Sequence, residues 1–172
     1  MIETILNSDD RNIHRRLFDW FIDNHNKEPS KNFKEQLLQL SSPYLENYLH
    51  EIDLEAVYNY YVRNERNDEA VLVACKISDK NGCPIQKRIE FLSKAIMTMN
   101  GVSNSKIDVR ELKEKLDVAR IQSHIYSAIE ASPLGSEPNG IQALEYLNER
   151  LFSLSDVTPP PFLFSPSLFP FH

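Results

Sequence analysis

Glycine is scarce in this chain: there are 4 in 172 residues, where about 7% is usual. Phosphate-cradling loops and tight hairpin turns both draw on glycine's backbone freedom. Nucleotide enzymes and hairpin-rich β folds are therefore disfavoured from the start. Cysteine is nearly absent too. Cys75 and Cys83 are the only two, too few for a disulfide framework or a four-cysteine zinc site, and they point to a reducing compartment. No long apolar run exists, since the longest, Ala70 to Cys75, spans six residues where a bilayer span needs ~20. The opening Met1-Ile-Glu-Thr-Ile lacks the basic start and apolar core of a secretion signal. Together these absences predict a soluble intracellular chain with no membrane insertion.

Positive charge is also in short supply. Lys+Arg number 19 against 25 Asp+Glu, for a net charge of −6 and a pI near 5.4. The densest basic spots, Arg15-Arg16 and Lys113/Lys115, are balanced by neighbouring acids. Phosphate binding needs clustered positive charge, so direct nucleic-acid binding is not expected.

What is present is helical periodicity. Asp9 and Asp10 suit the positive end of a helix dipole, with Ser8 as the expected cap and Ile13, Leu17, Trp20 and Phe21 as the expected buried face through Asn24. A short helix carrying Phe33, Leu37, Leu38 and Leu40 follows. Ser42-Pro43 reads as an N-cap with proline at the first helical position, ahead of Leu45, Tyr48 and Leu49. From Asp53, the positions Leu54, Val57, Tyr58, Tyr61 and Val62 form an i, i+3, i+4, i+7, i+8 stripe. Asn67 is the expected cap of a following stretch through Ile77. Pro84 opens a helix with the stripe Ile85, Ile89, Leu92, Ile96 and Met99, which Asn100-Gly101 would close. Asp108 starts the longest helix, along Val109, Leu112, Leu116, Ala119, Ile121 and Ile125. After a break over Ser132–Gly140, Ile141, Leu144, Leu147 and Leu151 make the last one. The expectation is an all-α protein of about eight helices, stacked as antiparallel pairs in an irregular α-solenoid without a fixed repeat. Residues 1–157 form this helical part. Five of the ten prolines lie between Pro159 and Pro170, interleaved with Phe162, Phe164, Phe169 and Phe171. Residues 158–172 are therefore expected to be a disordered tail.

Chemistry-bearing motifs are sparse. The histidines His14, His25, His50, His124 and His172 show no i, i+4 pairing, so no metal site is expected. Gly135-Ser-Glu-Pro-Asn-Gly140 has the glycine spacing of a phosphate loop, but Ile141 stands where its lysine would be. Cys83 beside Pro84 has no histidine close in sequence, and Asp9-Asp10 reads as a helix start. No catalytic residue and no cofactor is predicted. The remaining cluster is aromatic: Tyr44, Tyr48, Tyr58, Tyr60 and Tyr61 on two adjacent helices. Core packing is one reading of it and partner docking the other, because tyrosine serves interface cores well.

Four segments carry a family resemblance. They are Leu17-Phe18-Asp19-Trp20-Phe21, the run from Leu37 through Ser42-Pro43-Tyr44-Leu45-Glu46 to Leu49, the run Lys87-Arg88-Ile89-Glu90-Phe91-Leu92 to Ile96, and the run from Leu112 to Val118-Ala119-Arg120-Ile121-Gln122. In order and spacing these resemble the C-terminal helical region of the large inner-ring scaffold nucleoporins, the non-repetitive, hundred-and-fifty-five-kilodalton class. The resemblance spans Ile13 to Val157. It implies an architectural role in the nuclear pore complex at the nuclear envelope, serving protein and mRNA transport. It also implies binding to other inner-ring nucleoporins, including linker nucleoporins, and no catalysis. Such proteins carry an N-terminal β-propeller, which holds their membrane-contacting segments, before a long α-solenoid. The tail after Val157 departs from the family pattern, where further helices follow, and suggests a truncated or read-through product. An adaptor solenoid of a vesicle coat or tether is the alternative reading.

Overall fold

The computed structural model describes residues 2–99 and 107–152. The expected Asn100-Gly101 cap and the tail after Val157 lie outside the described residues. The chain divides into two compact units, residues 1–73 and 74–172.

The first unit opens with α1 (Ile2–Leu6), a one-turn helix that the periodicity did not signal, and α2 (Arg11–Lys27). Asp10 rather than Ser8 caps α2, its Oδ1 accepting from the Asn12 amide at 2.8 Å. Ser8 holds the approach to the helix instead, accepting from the Asp10 amide at 3.1 Å. The buried face of α2 is His14, Leu17, Phe18 and Phe21, so the expected face is turned by one position. Ile13 and Trp20 point outward, Trp20 being 50% exposed, and His14 is fully buried. The reason is polar satisfaction: both His14 nitrogens find partners inside, Ser8 carbonyl at 2.8 Å and Ser42 Oγ at 2.9 Å. A buried imidazole with both nitrogens bonded carries little desolvation cost.

Next come α3 (Phe33–Leu37), α4 (Leu45–Ile52) and α5 (Leu54–Arg63). Helix α4 starts two residues later than the Ser42-Pro43 signal suggests. The Ser42 hydroxyl is spent on His14 and on the Tyr44 amide at 3.2 Å, forming a turn that leads into the helix. Asp53, where the apolar stripe begins, caps α5 by accepting from the Glu55 amide at 2.8 Å, and its carboxylate also pairs with Lys34. Burial pushes the Asp53 carboxyl up, but Lys34 together with the Glu55 and Ala56 amides holds it below its ordinary range. The division between the units falls inside α6 (Asn67–Ser78).

The second unit contains the end of α6, then α7 (Ile85–Met99), α8 (Val109–Glu130), a 3-10 turn (Pro133–Ser136) and α9 (Pro138–Glu149). Asp108 caps α8 through the Arg110 amide at 2.8 Å. Gln86 near the start of α7 bonds Ser123 late in α8 at 2.8 Å. Gln122 of α8 reaches the end of α9 at Leu147 and Arg150. Both neighbouring pairs therefore run antiparallel. The core of this unit includes Ile85, Phe91, Leu92, Ala95, Leu112, Leu116, Ala119, Ala143 and Leu147.

The stretch Ser132–Gly140 is not a plain break. It holds the 3-10 turn, and Pro138 begins α9 at a position where a missing N–H costs nothing. Gly140 is buried, and a Cβ there would lie 1.8 Å from the Leu134 carbonyl oxygen, so the close approach requires glycine. Among the described residues there are nine α-helices and no strand, one helix more than the sequence suggested, the addition being α1.

Candidate partner-binding site

The five tyrosines all lie in the first unit. Tyr48, Tyr58 and Tyr61 are buried, and Tyr44 and Tyr60 are half-buried. Three hydroxyls are committed to internal partners. Tyr44 donates to the Asp9 carbonyl at 2.9 Å, Tyr48 to Asp19 Oδ1 at 2.7 Å and Tyr61 to Glu46 Oε1 at 2.7 Å. Because Tyr61 spends its proton on Glu46, its oxygen accepts from His50 Nε2 at 2.9 Å. Glu46 also takes two bonds from the Arg66 guanidinium, at 2.6 and 3.2 Å. That guanidinium lies 4.4 Å from the centre of the Tyr61 ring and reaches Glu69 at 3.0 Å.

The electrostatics follow from these contacts. Arg66, and then the Tyr61 hydroxyl, hold the Glu46 carboxyl below its ordinary range. Burial and the Glu46 carboxylate push the Tyr61 phenol up to about 12. Burial, with Asp19, raises Tyr48 as well. These phenols stay protonated and serve as fixed donors. The structure thus ties Tyr48 and Tyr61 into a network joining α2, α4 and α5. It leaves ring surface of Tyr44 and Tyr60 accessible.

The second unit holds a cavity of about 580 Å³. Its apolar wall is Val118, Leu151 and Phe152, and its charged lining includes Arg88, Lys115 and Glu114. Arg88 is only 2% exposed. Its Nη2 donates to the carbonyls of Cys83 at 3.1 Å, Lys80 at 3.4 Å and Glu149 at 3.5 Å. The loop before α7 is thereby fastened to the end of α9. Gly82, with φ of +70°, adds its amide to the Glu149 carbonyl at 2.7 Å. Gln122 completes the lock: its Nε2 donates to the Leu147 and Arg150 carbonyls, and its Oε1 accepts from the Phe152 amide at 2.9 Å. Helix ends leave carbonyls without partners, and here three side-chain or backbone donors meet them.

Arg88 and Gln122 were not singled out by sequence reasoning as functional. A signal existed: each is a polar residue at a core position, Arg88 between Ile85 and Leu92 and Gln122 after Ala119. Gln122 also closes the Val118–Gln122 string that carries part of the resemblance. Among the described residues, no group of three His, Cys, Asp or Glu stands close enough to hold a metal ion. Cys83 is buried, and the two glycines of the Gly135–Gly140 segment serve the turn between α8 and α9. No helix is long and apolar enough to cross a membrane among the described residues. Apolar side chains do remain outward on α8, where Ile121 is 60% exposed and Ile125 lies one turn on.

Stacked antiparallel helices, with polar side chains spent on fastening helix ends, define a class: the all-α scaffold of irregular solenoid type. Comparison with known proteins gives the family. The chain belongs to the non-repetitive/WGA-negative nucleoporin C-terminal family, whose model matches residues 1–159. It is 25% identical over 162 residues to the nuclear pore complex protein Nup154 of Drosophila melanogaster, covering 85% of this chain and 11% of that protein. It is 28% identical over 158 residues to nucleoporin NUP170 of Saccharomyces cerevisiae, covering 88% and 9% respectively. The chain thus spans about a tenth of the length of these relatives. Among solved structures, the Chaetomium thermophilum Nup170 CTD in its Nup145N complex shares the fold, with a TM-score of 0.73 at 24% identity over 90% of this chain and 32% of that one. The Nup170 CTD alone gives 0.67 at 25% identity, covering 88% and 29%.

Proposed function

We propose that this chain is a structural element of the nuclear pore complex inner ring, located at the nuclear envelope. It supports nucleocytoplasmic transport of protein and mRNA by binding other nucleoporins, linker nucleoporins among them, and not by catalysis. The observation that carries this reading is the family match across residues 1–159, supported by relatives that are themselves named as nuclear pore proteins. The same match favours the pore over a vesicle coat or tether. Binding rests on the surface that the helices leave over after burying one face against each other. In the first unit the accessible rings of Tyr44 and Tyr60 are the docking candidates. Tyr48, Tyr58 and Tyr61 hold the helices beneath them in place.

The test is capture from nuclear-envelope extract with the full chain as bait, read by mass spectrometry against a helical control protein. Enrichment of inner-ring nucleoporins, reduced by Tyr44→Ala with Tyr60→Ala, is the expected result. Recovery of chaperones alone, or of coat subunits, contradicts the reading.

A further inference from the structure

We infer that the cavity beside Arg88 is a docking site for a partner-protein segment that presents one carboxylate next to an apolar side chain. This rests on the reading of the chain as a nucleoporin-binding scaffold and names the chemistry of one of its partners.

A buried cation is costly unless neutralised. Arg88 is buried, yet its partners are three backbone carbonyls, all reached through Nη2. Among the described residues no carboxylate oxygen lies within ion-pair distance of it, and its Nε and Nη1 make no hydrogen bond. Burial accordingly holds its affinity for the proton below the ordinary arginine range. Arg88 is among the residues lining a cavity of about 580 Å³, within the ~300–1,000 Å³ range of ligand pockets. A guanidinium with free edge donors matches a carboxylate in geometry as well as charge.

The rest of the lining narrows the occupant. Val118, Leu151 and Phe152 offer an apolar wall, which suits an aliphatic or aromatic neighbour of the carboxylate. Asp79, Glu111 and Glu114 also line the cavity. Lys115 answers the first two, at 3.4 Å each. Among the described residues, Glu114 reaches only the exposed Arg110, at 3.9 Å. Arg150 lines the cavity too, so three cations face three carboxylates, and the wall has no net positive charge to draw a polyphosphate or nucleic-acid backbone. It accepts a single carboxylate at Arg88, and more readily one followed by a basic residue near Glu114.

The probe is a surface array of peptides Gly-x-Asp-z-Gly covering all residues at x and z, beside a matched array with Asn for Asp, read with the fluorescently labelled full chain. Asp peptides with Leu or Phe at x should bind about tenfold tighter than their Asn partners, the usual scale of one added charge-assisted pair. Arg88→Lys should abolish most of that preference. Because Arg88 also fastens α9, a second variant, Val118→Glu, puts a carboxylate in the cavity wall and should abolish it with the helical circular dichroism unchanged. Equal binding of Asp and Asn peptides by the wild type, or a preference that survives Val118→Glu, overturns the assignment. The nuclear-envelope capture is run in parallel. Nucleoporin capture without an Asp preference removes this site and leaves the scaffold reading. Loss of wild-type capture removes the scaffold reading, whatever the array shows.

Discussion

Replacing Gln122 with leucine tests the physical account of the second unit most sharply. The two side chains are close in size, so no large cavity opens, and the change falls mainly on hydrogen bonding. Gln122 is buried and satisfies two carbonyls at the end of α9, those of Leu147 at 3.3 Å and Arg150 at 3.1 Å, together with the Phe152 amide at 2.9 Å. Each bond contributes about 1 kcal/mol net, and a buried group left without a partner costs ~1–3 kcal/mol. Leucine regains part of this through apolar burial, about 1 kcal/mol. Because the end of α9 is partly open to water, a loss of about 2 kcal/mol is expected. Gln122→Glu keeps the acceptor for Phe152 but sets a carboxylate oxygen against two carbonyls. It should cost at least as much at neutral pH and recover in part when acid protonates it. Urea unfolding gives the stability, and hydrogen exchange at the Phe152 amide reports the lock itself. A Gln122→Leu protein within about 0.5 kcal/mol of wild type, with Phe152 still protected, would refute the reasoning.

Three further outcomes follow from the same structure. Phe18, buried against the Tyr48 ring at 5.1 Å, should cost about 3–5 kcal/mol of stability when cut to alanine, as read by thermal or urea unfolding. Gly140→Ala must push the Leu134 carbonyl out of the way; it should destabilise by about 1–3 kcal/mol or more and increase exchange at the Ser132–Ser136 amides, whereas a neutral alanine would show that the turn can shift freely. Glu46 has a folded-state affinity for protons lowered first by Arg66 and then by Tyr61, so its contribution is complete above the usual glutamate range near ~4.3 and is lost as pH falls below it. Glu46→Gln should flatten the acid limb of the stability–pH curve, and an unchanged limb would remove Glu46 from the account.

Much of the fold is legible from periodicity and caps. Asp53 and Asp108 stand where the sequence suggests, and the faces of α4 and α5 follow the apolar spacing through Leu45, Leu49, Val57 and Tyr61. What periodicity could not reveal is which polar groups find partners. In α2 hydrophobicity alone favours Ile13 and Trp20, yet His14 and Phe18 are inside because a carbonyl from Ser8 and a hydroxyl from Ser42, 28 residues away, receive the imidazole. The same limit hides the fastening of α9, whose donors Arg88 and Gln122 act across long separations. Around Pro133 and Pro138 the sequence reads as a breaker cluster, while the chain uses each proline to begin a helical turn. The density of tyrosines was visible in the sequence. That Tyr48 and Tyr61 point their hydroxyls at Asp19 and Glu46 was not.

The most direct test of the central claim is localisation of the full chain, tagged at its own locus and imaged at super-resolution with an inner-ring nucleoporin marker. The account predicts a punctate nuclear rim coincident with the marker. A diffuse signal, or one on cytoplasmic vesicles, would contradict it.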